Sequence, residues 1–300
     1  MRSKGTLVVI GGPTASGKTH TAAALAKHLG TEVISADSRQ FYGAMRIGTA
    51  RPLEEELLGV KHHFLGHLRI DETWSAGAFA RAAETELQRI LHAHGIAVLV
   101  GGSGLYIDAL IKGLDPLPTG DANLRGQLQE RTRIEGLGSL LQQLEQLDPV
   151  TYARIDHRNP HRVIRALEVC IGTGRPYSEQ RSTPEDRNDL HIIRIAMEVD
   201  RQSLYARIDA RVDRMVADGL VEEARSLLPF REHNALRTVG YSELFEYFDG
   251  HRTLKEAIGL IKQHTRNYAK RQATWLRRDA DWTYLPPDPS NVIDHVNRSR

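Results

Sequence analysis

The chain reads as an α/β protein: a phosphate-loop (P-loop) parallel sheet flanked by helices and carrying a helical insertion domain. Three observations predict this. The stretch Gly12-Pro13-Thr14-Ala15-Ser16-Gly17-Lys18-Thr19 fits G-x-x-x-x-G-K-[ST] without a mismatch, behind the apolar run Leu7-Val8-Val9-Ile10 and ahead of a helical pattern from Thr21 to Leu29. The first third alternates apolar runs with amphipathic stretches, which implies parallel strands covered by helices on both faces. From Ala122 to about Arg181 the chain is poor in strand character and rich in charged helical patterns, as expected of an insertion between two strands of the sheet.

The elements follow in order. Strands are expected at Thr6–Gly11, Glu32–Ala36 and Ala97–Val100, and helices at Lys18–Leu29, Ala76–Ala93 and Leu105–Ile111. The segment Leu114 to Gly120, with Pro116 and Pro118, breaks the alternation. Helices at Leu124–Glu135, Leu137–Leu147 and Arg162–Ile171 then fill the insertion, the last closed by Gly172-Thr173-Gly174. Strand character returns from His191 to Val199. Asp200 is placed as an N-cap and Gly219 as the C′ residue of the next helix. Helices at Val221–Leu228, Tyr241–Phe248 and Leu254–Arg278 follow, and the last dozen residues, rich in Pro, Asp and Asn, are expected to be loosely attached. The predicted division is residues 1–120 for the first part of the P-loop core, 121–185 for the insertion, and 186–300 for a mainly helical second part.

Composition excludes several classes. Three hundred residues of ordinary hydrophobicity support a globular core rather than a disordered chain. Apolar runs such as Ala97-Val98-Leu99-Val100 are too short to cross a bilayer, and Met1-Arg2-Ser3-Lys4-Gly5 carries no signal-peptide core, so a cytoplasmic setting is expected. The single cysteine, Cys170, excludes an internal disulfide and a cysteine-rich zinc site; its apolar helical surroundings mark it as a small buried side chain. The net charge of +2 says little about partners. Arginine outnumbers lysine, however, and basic residues gather between Lys262 and Arg278, where forked side chains suit phosphates and a solvated helix face explains the same cluster.

The chemistry starts at the loop. Its glycines let backbone N–H groups converge on phosphate oxygens, the helix N-terminus and Lys18 add positive charge, and the Thr19 hydroxyl supplies a magnesium ligand. A di- or triphosphate is therefore the expected ligand group. Asp37 ends the second strand at the carboxyl edge, where open parallel sheets bind ligands, as a magnesium ligand, a general base or a turn residue. Ser38-Arg39-Gln40 beside it suits hydrogen bonding to a base or phosphate. The third strand lacks the acidic end usual in nucleotide hydrolases and runs instead into Gly101-Gly102-Ser103-Gly104-Leu105-Tyr106, whose glycines allow something bulky to approach. The adjacent His62 and His63 point to opposite faces of an extended chain, so placement near the substrate pocket is expected rather than metal ligation.

Gly12–Thr19, Asp37–Gln40, Ile47-Gly48-Thr49-Ala50-Arg51-Pro52, His62-His63 and Gly101–Tyr106 occur in the order and spacing of the tRNA dimethylallyltransferases, which the chain resembles from about Leu7 to Arg278. His161 to Glu168, Val239-Gly240-Tyr241 and Thr265 to Trp275 continue the resemblance. It implies transfer of the dimethylallyl group of dimethylallyl diphosphate to N6 of the adenosine 3′ of the anticodon, with the loop holding the isoprenoid diphosphate and Mg2+ assisting its departure. By the same resemblance Asp37 is the general base, Ser103 contacts the reacting region, and Arg211 clamps the diphosphate. Asp37, Ser38, Arg39, Gln40, Ser103, Arg125, His161, Arg162, Val163, Ile164 and Arg165 are assigned to the tRNA anticodon stem-loop. Ser103 stands where the family usually has threonine, and Phe41, Gly43 and Arg46 also depart from its pattern. A monomer with no membrane association is expected. Two other readings stay open: a small-molecule kinase or nucleotide hydrolase, and an RNA-binding module whose loop only anchors a phosphate.

Overall fold

Residues 5–115, 117–118, 120–182 and 187–300 are described by a computed structural model. Pro116 and Thr119 of the expected Leu114–Gly120 break lie outside them. The apolar runs of the sequence become a six-stranded sheet of β1 (Gly5–Gly11), β2 (Val33–Ala36), β3 (His62–His63), β4 (Ile96–Gly101), β5 (Leu190–Met197) and β6 (Thr283–Leu285), in the order β3-β2-β4-β1-β5-β6. Every neighbouring pair is parallel. Such a sheet needs cover on both faces, and helices α1 (Lys18–Leu29), α2 (Ala76–His94), α3 (Gly104–Ile111), α8 (Arg201–Ala217), α9 (Leu220–Ser226), α10 (Tyr241–Phe248), α11 (Leu254–Leu276) and α12 (Pro289–Ser299) belong to its unit, while α4 (Ala122–Glu135), α5 (Leu137–Leu147), α6 (Pro149–Arg154) and α7 (Pro160–Thr173) form the insertion.

The alternation of side chains along each strand sorts them into two cores. Leu7, Val9, Ala97 and Leu99 belong to a large core shared with α2, α3 and α10. Val8, Ile10, Val98, Val100 and Ile195 belong to a second one with Ala22 and Leu25 of α1 and Val292 and Val296 of α12. Register then levels the strand ends. Gly101 lies beside both Gly11 and Ala36, and Gly11 beside Ala196, so the segments that follow β1, β2 and β4 leave the sheet at one edge.

The C-terminus corrects the expectation of loose attachment. Asp288 caps α12 by accepting from Ser290 N–H, Val292 and Val296 are fully buried one turn apart, and Ser299 O meets His191 at 2.8 Å. Three aliphatic residues, Val292, Ile293 and Val296, in an otherwise polar dodecamer give little hydropathy signal, but their helical spacing gives one face.

The chain divides into two compact units, residues 1–111 with 187–300, and residues 112–186. In the second, α4, α5 and α7 bury Leu128, Leu140, Leu144, Val163, Leu167 and Cys170. Its capping is sequence-encoded: Asp121, Asp148 and Asn159 each accept an N–H of the helix they begin.

Candidate active site

Between β1 and α1 the chain makes the loop that the motif requires. Gly17 takes φ +91°, and a Cβ at Gly12 would lie 2.5 Å from Ser16 Oγ. Ser16 is fully buried, and its Oγ has no hydrogen-bond partner. A hydroxyl held out of water without a partner costs about 1–3 kcal/mol, so this atom fits an incoming anionic oxygen. Lys18 is buried too, with Nζ donating to Pro13 O at a long 3.4 Å. Burial lowers its pKa from 10.5 to about 8, against the raising effect of Asp37 and with a further lowering by Arg211.

Two elements distant in sequence complete the loop. Arg211 of α8 donates from Nη1 to Thr14 Oγ1 at 3.2 Å, and burial lowers its pKa. Gln272 of α11, also buried, accepts Thr14 N–H at 2.8 Å and donates to Gly102 O at 2.9 Å, tying the loop to the end of β4. The sequence reading assigned no role to Gln272. Its signal was spacing: Ile261, Thr265, Tyr268 and Gln272 recur on one helical face.

Asp37 leaves β2 at the same edge and accepts Arg39 N–H at 3.3 Å. Asp37, Lys18, Thr19 and Ser35 border one small cavity. Ser103, following β4, accepts Ser38 N–H at 3.2 Å, and the two hydroxyls lie 3.3 Å apart. Burial and the charge of Asp37 push the pKa of the Tyr268 phenol up to about 12, so it remains a donor. In front of these groups opens a cavity of about 390 Å³. Thr14, Asp37, Ser38, Arg211, Tyr268 and Arg271 give it a polar lining, and Val212, Met215, Val239 and Ile261 an apolar one.

Other predicted residues have structural partners. Arg39 lines the cavity but donates to Asn234 O and Ala235 O at 3.0 and 3.1 Å. Gln40 braces the carbonyls of Thr49 and Ala50, both at 3.1 Å. Within the insertion unit, His161 and Arg162 are exposed, whereas Val163 and Ile164 are buried in that unit's own core, which removes their side chains as RNA contacts. Arg125 and Arg165 share the buried Glu168 carboxylate at 2.8 and 3.1 Å. His63 is also relocated. It hydrogen-bonds Glu32 at 2.5 Å, just before β2 and so at the amino edge of the sheet, away from the cavity. Asp209 and Asp213 pair with Arg266 and Lys262 of α11. Phe41, a departure from the family pattern, stacks on Phe79 in the core.

Among the described residues no group of three or more His, Cys, Asp and Glu is placed to hold a metal. Magnesium bound with a phosphate ligand needs only one or two protein oxygens, and Thr19 and Asp37 bordering one cavity fit that requirement.

Fold and site together define an α/β protein whose glycine-rich Gly12–Thr19 loop opens beside a carboxylate and a half-apolar cavity. The sequence profile of the IPP transferase family matches residues 40–279, and the chain belongs to that family. It is 45% identical over 292 residues to a tRNA dimethylallyltransferase of Christiangramia forsetii, covering 97% of each chain, and 44% identical over 288 residues to tRNA dimethylallyltransferase 1 of Phocaeicola vulgatus, covering 96% of each. Among solved structures, the tRNA isopentenylpyrophosphate transferase of Bacillus halodurans superposes with a TM-score of 0.73 at 37% identity, covering 99% of this chain and 97% of the other. A eukaryotic dimethylallyltransferase acting on tRNA shares the fold, with a TM-score of 0.80 at 23% identity over 94% of this chain and 74% of its own. Among the described residues no helix is long and apolar enough to cross a membrane.

Proposed function

We propose that this chain transfers the dimethylallyl group of dimethylallyl diphosphate to N6 of the adenosine 3′ of the anticodon, tRNA position 37, releasing diphosphate. The observation that carries the reading is the meeting, at one sheet edge, of a cationic cradle with the carboxylate of Asp37 and an apolar wall suited to a five-carbon tail. Ser16 Oγ, Lys18 and Arg211 hold the diphosphate. As the C1–O bond breaks, its electron pair leaves with the diphosphate, and these donors stabilise the charge that develops there. The adenine amine supplies the pair for the new C1–N6 bond, and Asp37 accepts the N6 proton, assistance worth about 10²–10⁴-fold. Ser38 and Ser103, bonded to each other, and Tyr268, which feels the charge of Asp37, orient the acceptor. Magnesium, held by Thr19 with Asp37 nearby, would neutralise the departing diphosphate when bound.

The acceptor must leave its stack to reach such a cavity, and an unpaired anticodon loop makes extrusion less costly. The exposed His161 and Arg162 remain the insertion's candidates for RNA contact, while Arg125 and Arg165 offer the N–H groups that Glu168 leaves unused. Labelled dimethylallyl diphosphate incubated with the protein, magnesium and unmodified tRNA is expected to place label on N6 of adenosine after digestion. ATP turnover without transfer would instead make the protein a kinase or hydrolase.

A further inference from the structure

One wall of the cavity is a loop that no strand ladder holds. Gly48, Thr49 and Ala50 line the cavity, with Ala50 at φ +47°. Gln40 holds the carbonyls of Thr49 and Ala50, and the preceding N–H groups of the loop close on a carboxylate from far along the chain. One oxygen of Glu223, on α9, accepts Arg46 N–H at 3.0 Å and Ile47 N–H at 2.7 Å. The other accepts Gly48 N–H at 2.8 Å and the Tyr241 hydroxyl at 2.6 Å. Three successive backbone N–H groups closing on one anion form a nest, and bonds to a charged acceptor are about twice as strong as neutral ones.

Tyr241 completes the device. It is fully buried, and its ring packs so closely on Gly48 that a Cβ there would lie 2.5 Å from the ring. Burial, with the Glu223 charge, holds its phenol well above the ordinary value, so it stays a donor. Glu223 also follows α8 through Gly219, at φ +101°, and α8 carries Arg211, Val212 and Met215 to the cavity. The carboxylate therefore ties the loop to the helix pair that bears the diphosphate clamp.

We propose that Glu223 is a positioning residue for the transfer reaction, its carboxylate and Tyr241 fixing the Arg46–Gly48 loop as the wall that holds a substrate in line with Asp37. The role rests on the transfer activity assigned above. Nothing in the chain's phosphate cradle touches Glu223, so the two functions separate experimentally.

The test combines steady-state kinetics, binding of a non-reacting dimethylallyl diphosphate analogue, and amide hydrogen exchange over residues 46–48. Glu223→Gln, which places an amide NH2 against N–H or hydroxyl donors, is expected to unprotect these amides and lower kcat at least about tenfold, as sub-ångström misplacement does, with analogue affinity within about twofold of wild type. A folded Glu223→Gln protein with unchanged loop exchange, or with kcat within about twofold of wild type, overturns the role. If that variant does not fold, Tyr241→Phe removes one hydroxyl and leaves the ring on Gly48. It is expected to accelerate loop exchange and lower kcat by about threefold, and no change in either overturns the proposal. A wild type that makes no product is a separate failure, of the assigned reaction. Loop exchange then decides alone, and unchanged exchange in Glu223→Gln overturns the lock.

Discussion

Lys18 sets function against stability, and Lys18→Met exposes the conflict. The side chain is buried, and burial lowers its pKa from 10.5 to about 8 even with Asp37 favouring the charge. Between pH 8 and 10.5 the unfolded chain therefore binds more protons than the folded one, so this group makes stability rise with pH through that window. Below pH 8 the whole penalty of a buried ammonium is present, about 3 kcal/mol for the gap between the two values. Methionine keeps the stem and removes the charge. Without ligand at pH 7, Lys18→Met should be more stable than wild type by up to about 3 kcal/mol, a figure that already includes the lost attraction to Asp37 because the folded pKa of about 8 contains it. The difference should vanish by about pH 10.5. A diphosphate analogue is expected to reverse the order, because it should bind the chain that carries the cation more tightly than Lys18→Met. Wild-type affinity for a non-reacting analogue should also fall towards tenfold per pH unit above about 8, as the cation is lost. Urea unfolding at pH 7 and 10, with and without analogue and magnesium, measures all of this. A ligand-free Lys18→Met protein less stable than wild type at pH 7 would refute the reasoning.

Three further outcomes are expected. Asp37→Ala should abolish transfer while RNA affinity, measured by filter binding, stays near wild type; comparable activity would remove Asp37 from the mechanism. Arg211→Ala loses the contact to Thr14 and a charge beside the diphosphate, so calorimetry should show weaker analogue binding, and an unchanged affinity would count against the clamp. Gln272→Ala leaves Thr14 N–H and Gly102 O without their partner, and urea unfolding should show a loss of about 2–4 kcal/mol, together with weaker analogue binding.

What the sequence revealed and what it hid follow from how each signal is encoded. The loop and Asp37 are local: a contiguous motif and the end of an apolar run locate both at the carboxyl edge before any tertiary contact is known. Gln272, Tyr268 and Glu223 are tertiary. Gln272 reaches the loop across a separation of 258 residues and Glu223 reaches Ile47 across 176, so no window of sequence contains either pair. His63 shows the converse hazard. A histidine pair attracts a functional reading, but its register beside β2 directs it to Glu32 at the far edge. The resemblance assigns Val163 and Ile164 to RNA contact together with His161 and Arg162, although apolar residues on an amphipathic helix face its core.

The glycines at and after the end of β4 explain why this strand lacks the acidic residue that nucleotide hydrolases place there. A Cβ at Gly101 would strike Ala36 O, one at Gly102 the Gln272 amide, and one at Gly104 the Trp275 ring. All three positions are thus kept bare by close neighbours, and two of the three neighbours come from α11. That helix gains its approach from the missing side chains, and Trp275 anchors it further by donating to Asp108 at 2.9 Å. Its next turns towards the N-terminus carry Tyr268, Thr265 and Ile261 into the cavity. An acidic side chain at the end of β4 would hold the helix off and, with it, both the Gln272 brace and the wall beside Asp37. The same packing that keeps an acidic side chain off the end of β4 therefore builds the wall of the cavity beside Asp37, and in the proposed reaction magnesium would have Thr19, Asp37 and the ligand's own phosphates as its oxygen ligands.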